Sequence, residues 1–120
     1  MKGEKYLTKS KQYALVYNEG SSWVSNIIVI KILPNGLDLS RYGFSVSKRV
    51  GNAVIRNKVK RSLREILRNL PLNVGWDVVF IARPSVALVR YAELKEVIEN
   101  LLSKAQLLVK NYEKSSLETN

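Results

Sequence analysis

The feature that most constrains the fold is a strand, an amphipathic helix and a second strand in close succession. From Tyr42 to Ser47, large apolar side chains alternate with small ones, the two-residue period of a half-buried strand. From about Ile55 to Leu70, apolar residues recur at helical spacing, and Pro71 and Gly75 end that helix. Trp76 to Ala82 is a second apolar strand. This order predicts a βαβ unit, so we expect a mixed sheet with helices packed on it.

Three further elements flank this unit. Helical spacing of apolar side chains predicts a short helix over Ser10 to Asn18. The Ile-rich stretch from Val24 to Leu33 predicts a strand, because β-branched residues favour extended backbone. An apolar stripe predicts a last helix from about Tyr91 to Lys110. We expect one domain over residues 1–120, with flexible ends at about 1–6 and 112–120.

The charge of the chain is high and concentrated. Lys and Arg number 20 against 10 Asp and Glu, a net charge of +10. Residues 41–68 carry nine basic side chains and one acidic side chain, a net charge of +8. A domain with this much positive charge usually binds a polyanion, either nucleic acid or an anionic membrane. The alternative is a solvated helix face that binds nothing.

Several classes of site and location are excluded by composition. The chain has no His and no Cys, so disulfides, zinc sites built on thiolate or imidazole, Ser-His-Asp triads and Cys nucleophiles are ruled out. The absence of Cys fits a reducing cytoplasm, which is the expected location. The N-terminus lacks the apolar run of a signal peptide, and the longest apolar run, Val78 to Ala82, is too short to span a bilayer.

The chain also lacks the groups of an autonomous nuclease. A protein ribonuclease needs a general acid/base pair or a carboxylate cluster that holds metal. The basic segment has one carboxylate, Glu65. Glu93, Glu96 and Glu99 are interpreted as a solvated helix face, since no oxygen cluster from elsewhere joins them. We therefore expect no catalytic residue and no metal ligand in this chain.

The predicted helix over residues 56–70 carries a basic strip beside its apolar face. On a helical wheel, the apolar side chains fall within one arc of about 100°. The neighbouring arc holds Arg56, Asn57, Lys60, Arg61, Arg64 and Arg68. Long cationic arms on neighbouring turns can reach successive phosphates. This geometry favours a ligand along the seam between helix and sheet.

The segment before this helix adds two cations and a turn. Lys48 and Arg49 stand at the end of the predicted strand. Gly51 and Asn52 permit a tight turn, whose backbone N–H groups near a helix start bind anions well. The alternative is a plain turn in which Asn52 caps the helix.

The segment from Arg41 to Glu65, RYGFSVSKRVGNAVIRNKVKRSLRE, resembles the signature of the protein subunit of bacterial ribonuclease P. Tyr13 to Gly20 is similar to the family's first helix and Asp77 to Arg83 to its last strand, so the resemblance covers roughly residues 7–110. It implies an α+β fold, a small two-layer α/β sandwich with a mixed sheet of about four strands and three helices. This is the fold of the second domain of a small-subunit ribosomal protein. It also implies a left-handed βαβ crossover, against the usual right-handed rule.

The resemblance implies a function as well. The family's protein joins a catalytic RNA, and the complex removes the 5′ leader of precursor tRNA by metal-dependent hydrolysis. The RNA carries the chemistry, while the protein binds the leader and helps the complex to fold and to bind metal. The implied partners are therefore the catalytic RNA and precursor tRNA, with no DNA and no membrane. The holoenzyme requires Mg²⁺, and the protein itself is expected to bind no cofactor.

Site residues are carried over by position. The RNA-binding positions are Lys48, Arg49, Asn52, Arg56, Asn57, Lys58, Lys60, Arg61 and Arg64. Lys58 departs from the family's Arg-Asn-Arg motif and lies on the back of the wheel. It keeps the charge but loses the bidentate fork of Arg. The leader-binding cleft is assigned to Tyr13, Tyr17, Lys31, Ser45 and Ser47. The alternative for the two tyrosines is core packing, and for the two serines a solvated strand face.

Three other functions are compatible with a basic domain. A structural or ribosomal RNA-binding protein would share the charge without turnover. A DNA-binding regulator would place the basic helix in a major groove, but the basic strip borders the apolar stripe instead of projecting away from it. A membrane-surface protein would need more exposed bulky apolar residues on that helix.

Overall fold

A computed structural model describes residues 5–109 of the chain. Its elements are α1 (Ser10–Glu19), β1 (Ser21–Val24), β2 (Ile28–Pro34), β3 (Arg41–Ser45), α2 (Ala53–Arg68), β4 (Trp76–Ala82) and α3 (Tyr91–Lys104), with a 3₁₀ turn (Pro84–Leu88) before α3. The expectation of flexible ends at 1–6 and 112–120 lies outside the described residues, apart from Lys5 and Tyr6. Within residues 5–109, no helix is long and apolar enough to cross a bilayer.

The four strands form one mixed sheet in the order β1-β2-β4-β3. β2 pairs antiparallel with both β1 and β4, and β3 pairs parallel with β4. The helix α2 connects the two parallel strands, so the predicted βαβ unit is confirmed. Tyr6 pairs in parallel with Tyr42 on the outer edge of β3. The left-handed sense of the crossover stays an expectation from the resemblance.

The predicted single strand from Val24 to Leu33 is wrong, because the chain reverses within it. β1 and β2 form a hairpin, and Ser25 makes the turn. The Ser25 hydroxyl donates to the Ile28 carbonyl at 2.6 Å and accepts from the Ile28 N–H at 3.0 Å. The apolar sequence therefore gives no sign of this turn, which is formed by the Ser25 side chain and the backbone. β1 itself, rich in serine, carries no apolar alternation.

The main core lies between one face of the sheet and the helices α2 and α3. Ile30 and Phe80 from the sheet, Leu63 from α2 and Ile98 from α3 are all fully buried there. The sheet and these two helices form the expected two-layer α/β sandwich, and one further helix adds to its other face. The helix α1 packs on the opposite face, where Val16, Leu7 and Val79 form a second small core.

The last helix is shorter than predicted, since α3 ends at Lys104 and not near Lys110. Gln106 takes a left-handed backbone conformation (φ 61°) and Leu107 is buried in the main core. The Asn73 amide donates to the carbonyls of Gln106 and Leu108 at 3.3 and 3.4 Å. The apolar stripe therefore continues past the helix as an extended segment that tertiary contacts hold.

An ion pair fixes the register of the two parallel strands. Arg41 and Asp77 are pairing partners at the starts of β3 and β4. The Arg41 guanidinium donates to both carboxylate oxygens of buried Asp77, at 2.8 and 2.7 Å. Asn35 donates to the same carboxylate at 2.9 Å. The hydrogen bond to Asp77 raises the pKa of Arg41, with burial opposing the shift.

Candidate nucleic-acid interface

A cleft of about 370 Å³ lies between α1 and the end of β3. Tyr13 and Tyr17, one helical turn apart, both line it from α1. Ser45 and Phe44 line it from β3. The structure therefore brings together three of the five residues assigned to the leader-binding cleft. Tyr17 is 37% exposed, whereas Tyr13 also packs against the second core.

A second cavity, of about 310 Å³, lies at the edge of the sheet between α1 and α2. Tyr13 and Phe44 line both cavities, and Lys60 and Arg64 of α2 line the second. The Arg64 guanidinium carbon lies 5.8 Å from the centre of the Phe44 ring, a cation–π distance. The Tyr13 and Phe44 rings therefore lie between the cleft and the basic helix α2.

Lys31 holds the last turn of α1 against the sheet. Its ammonium donates to the Tyr17 carbonyl at 3.0 Å, where a cation also complements the negative end of the helix dipole. Gly20 lets the same end of α1 approach β2 closely. A β-carbon there would lie 2.6 Å from the Val16 carbonyl oxygen and 2.7 Å from that of Ile32. Lys31 therefore lies beneath the backbone of Tyr17 and lines neither cavity.

Ser47 lies past the end of β3 in an exposed turn and also lines neither cavity. Its hydroxyl accepts from the Arg49 N–H at 3.3 Å, and its carbonyl accepts from the Val50 N–H at 3.0 Å. The Gly51 N–H donates to the Lys48 carbonyl at 3.2 Å. Ser47 thus shapes the turn from which Lys48 and Arg49 project into solvent.

Asn52 caps α2, which was the alternative to anion binding at this turn. Its side-chain oxygen accepts from the Ile55 N–H at 3.0 Å. Arg56 donates from Nε to the Gly51 carbonyl at 3.1 Å and is half-buried. These two side chains fix the turn with Lys48 and Arg49 to the start of the basic helix.

The predicted core face of α2 is confirmed, since Val59, Leu63, Ile66 and Leu67 are buried. Lys60 and Arg64, beside that face, reach the cavity at the sheet edge. Other assigned RNA-binding side chains of the helix are exposed: Asn57, Lys58 and Arg61. The helix therefore presents cations both to the second cavity and to open solvent.

Phe44 and Tyr6 are walls of the site that sequence reasoning missed. The alternation of β3 places Phe44 on the core face, and nothing in the sequence shows that β3 lies at the edge. Tyr6 belongs to the end expected to be flexible, yet its ring centre lies 6.1 Å from that of Tyr42 and 6.0 Å from that of Phe44. Burial, and secondarily Tyr6, raises the pKa of Tyr42.

Carboxylates are scarce at this surface. Glu65 is exposed on α2, and neither cavity has a carboxylate in its walls. Over residues 5–109, no three Asp or Glu side chains come close enough together to hold a metal ion. The site can therefore bind phosphate and stack on bases, but it offers no carboxylate for proton transfer at neutral pH.

A basic helix beside an aromatic cleft on an α+β sandwich defines a small RNA-binding protein. The sequence model of the ribonuclease P family matches residues 1–106. A ribonuclease P protein component from Dehalococcoides mccartyi is 50% identical over 119 residues, covering 99% of each chain. The chain belongs to the ribonuclease P protein family and is a subunit of that endoribonuclease. This membership favours the ribonuclease P interpretation over the ribosomal, DNA-binding and membrane-surface alternatives.

Solved structures show the same fold. The RNase P protein of Staphylococcus aureus superposes with a TM-score of 0.82 at 28% identity, covering 89% of this chain and all of that one. A mutant of the S. aureus protein, described as having defective mRNA degradation activity, superposes with a TM-score of 0.80 at 28% identity. It covers 87% of this chain and 90% of the mutant chain. The expected α+β fold is thereby confirmed.

Proposed function

We propose that this chain binds the 5′ leader of precursor tRNA in the cleft between α1 and β3 while it holds the catalytic RNA through its basic segment. The observation that carries this proposal is the meeting of two cavities at Tyr13 and Phe44, with Lys60 and Arg64 beside them. A leader is single-stranded, so its bases are free to stack on aromatic rings while cations neutralise its phosphates.

The catalytic RNA is assigned to the cations that point into solvent. Lys48 and Arg49 project from the turn before α2, and Lys58 and Arg61 from the helix itself. Structured RNA is held mainly through its backbone, and phosphate contacts of this kind fix orientation without reading sequence. Lys58 contributes charge here, but it cannot form the two-pronged contact of an Arg.

The side chains at the site support a division of labour between protein and RNA. The protein supplies binding and charge, and the RNA, with the Mg²⁺ that the holoenzyme requires, supplies the hydrolysis. Divalent metal can generate the attacking hydroxide and stabilise the leaving oxygen without any protein base. A cytoplasmic location goes with this role, because the proposed substrate is newly made tRNA.

Reconstitution tests the proposal directly. Purified protein, the cognate catalytic RNA and precursor tRNA are combined at low Mg²⁺, with RNA alone and protein alone as controls. We expect the protein to raise cleavage at the mature 5′ end and to cleave nothing by itself. Failure to stimulate the RNA would refute the proposed function.

The protein-alone control includes an mRNA, because one S. aureus mutant is described by its loss of mRNA degradation. We expect no cleavage of either substrate by rigorously RNA-free protein. Metal-dependent cleavage by such a preparation would overturn the assignment of all chemistry to the RNA. A catalytically dead RNA, with the same protein, separates contaminating nuclease from holoenzyme activity.

A further inference from the structure

Gly43 occupies the middle of β3, where a glycine has an energetic cost. The residue is buried and pairs with Val79 in the parallel ladder. Its backbone is not among the glycines with positive φ, so no left-handed conformation requires it. Glycine in a strand interior loses more conformational entropy on folding than other residues and packs no side chain. Its presence therefore needs another explanation.

The space that a side chain at position 43 would fill is taken by Tyr13. A β-carbon on Gly43 would lie 2.7 Å from both Cε2 and Cζ of the Tyr13 ring and 2.8 Å from its hydroxyl oxygen. Carbon atoms in ordinary contact are about 3.5 Å apart or more, so the ring would have to move by roughly 1 Å. The Cε2, Cζ and hydroxyl atoms of Tyr13 therefore rest on the strand backbone at Gly43, which we call the seat of the ring.

The position of the Tyr13 ring decides the shape of the site, because Tyr13 lines both cavities. A ring lifted from its seat moves into the space between α1 and Phe44. Tyr13 also packs against the second core, which restricts inward movement of the ring. Displacement of the ring away from the strand therefore makes the cleft shallower.

We propose that Gly43 is a positioning residue, which seats the Tyr13 ring on β3 and so sets the depth of the cleft available to a nucleobase. The proposal rests on the proposed function for its ligand, single-stranded leader RNA. The role explains why a glycine stands within the strand, since the Tyr13 ring needs the space that a side chain at position 43 would fill. A residue with any side chain at this position would narrow the site without touching the RNA itself.

A double-mutant cycle on the full chain tests this. Gly43→Ala, Tyr13→Ala and the double variant are each assembled with the catalytic RNA, and affinities for precursor and mature tRNA are measured. We expect Gly43→Ala to weaken precursor binding by about fivefold, the lower end of one base–aromatic stack, without changing mature tRNA binding. In the Tyr13→Ala background, the same change should cause no further loss. Leu15→Ala, exposed on α1 outside both cavities, is the control.

Two readouts separate positioning from a loss of folding. The melting temperature of Gly43→Ala should fall little, because the clashing atoms belong to the free end of one side chain. With Tyr13→Ala already present, it should stay level or rise, since alanine suits a strand better than glycine. A large fall in both backgrounds would mean that position 43 is structural only. Wild-type precursor affinity in Gly43→Ala would also overturn the proposal.

The seat itself can be observed without RNA. Ring currents of Tyr13 should shift the Gly43 Hα resonances in the NMR spectrum of the wild-type protein, and Tyr13→Ala should abolish that shift. If the shift is present but Tyr13→Ala leaves precursor discrimination intact, the proposed leader site fails while the packing of ring on strand stands. If the shift is absent, the seating of Tyr13 by Gly43 is wrong whatever the RNA does.

Discussion

Neighbouring side chains of α1 face different surroundings, the open cleft and the second core. Val16 is fully buried in the second core, and Tyr17, the next residue, is 37% exposed and lines the cleft. Tyr13 does both, since it packs against that core and lines the cleft. Core packing therefore explains part of the environment of Tyr13 and little of that of Tyr17, whose ring is mainly placed to contact a ligand in the cleft.

Tyr17→Ala should weaken binding of precursor tRNA by about tenfold or more, because it removes one aromatic stacking surface. Affinity for mature tRNA, which has no leader, should barely change. The melting temperature should fall only modestly, as the ring is substantially exposed. Binding of both RNAs to the reconstituted complex and one melting curve measure these effects.

Leu15→Ala, on the same helix and 53% exposed, should leave both affinities unchanged. A large fall in melting temperature with equal losses for both RNAs would assign Tyr17 to packing.

The buried phenol of Tyr42 should make the protein less stable in alkali. Burial first, and Tyr6 second, raise the pKa of Tyr42 above its ordinary value of 10.0. The neutral phenol therefore contributes stability in full below about pH 10, the unfolded pKa, and that contribution is lost as the pH rises through the folded pKa. Urea unfolding across this range should show a shallower decline for Tyr42→Phe than for the wild type. Identical slopes would contradict the assignment.

The elements differ in how far the sequence predicts them. Helix α2 is predictable because its apolar period is regular and Pro71 and Gly75 follow it. The β1–β2 hairpin is not, because the Ser25 turn lies beside the Ile-rich run and resembles a continuing strand. The end of α3 is not, because Leu107 extends its stripe and only tertiary bonds from Asn73 show that the helix has stopped.

The residues of the site likewise differ in how far the sequence predicts them. Local patterns find the cations of α2, since a helical wheel places them without any tertiary information. They do not find Phe44, because its role depends on β3 being the edge of the sheet. The family resemblance places Lys31 in the cleft, whereas its ammonium bonds to the Tyr17 backbone instead. Roles that depend on which elements become neighbours stay beyond sequence patterns.

Removing Arg41 should destabilise the pairing of β3 with β4. Arg41→Met leaves the buried Asp77 carboxylate with Asn35 as its remaining side-chain donor. Breaking a fully buried pair from one side costs about 3–5 kcal/mol, because an uncompensated charge stays buried. The Arg41 side chain is 22% exposed, so we expect a loss toward the lower end of this range. Urea unfolding measures the loss. The added change Asp77→Asn should recover part of it, and a loss below about 1 kcal/mol for Arg41→Met would show that the pair is dispensable.

Over the whole molecule, most of the net positive charge is held by residues 41–68, which include the β3–α2 turn and α2. If about five of their cations neutralise phosphates, log K for RNA should fall against log salt with a slope on the order of −3.5 to −4.5. Arg64→Ala should reduce the steepness of that slope by up to about one. Lys104→Ala, which removes the same charge from the end of α3, should leave it unchanged. A wild-type slope near zero would show that this surface is not the RNA site.

The short pairing of Lys5, Tyr6 and Leu7 with β3 has a consequence for solubility. Its two backbone hydrogen bonds, from the Leu7 N–H to the Tyr42 carbonyl and from the Tyr42 N–H to the Lys5 carbonyl, occupy the outer rim of the sheet. An uncovered rim of this kind is a template on which strands of other molecules can add. Truncations that remove this pairing should therefore promote self-association. A chain shortened to begin at Thr8 should aggregate with rising concentration, through the very strand that carries the cleft.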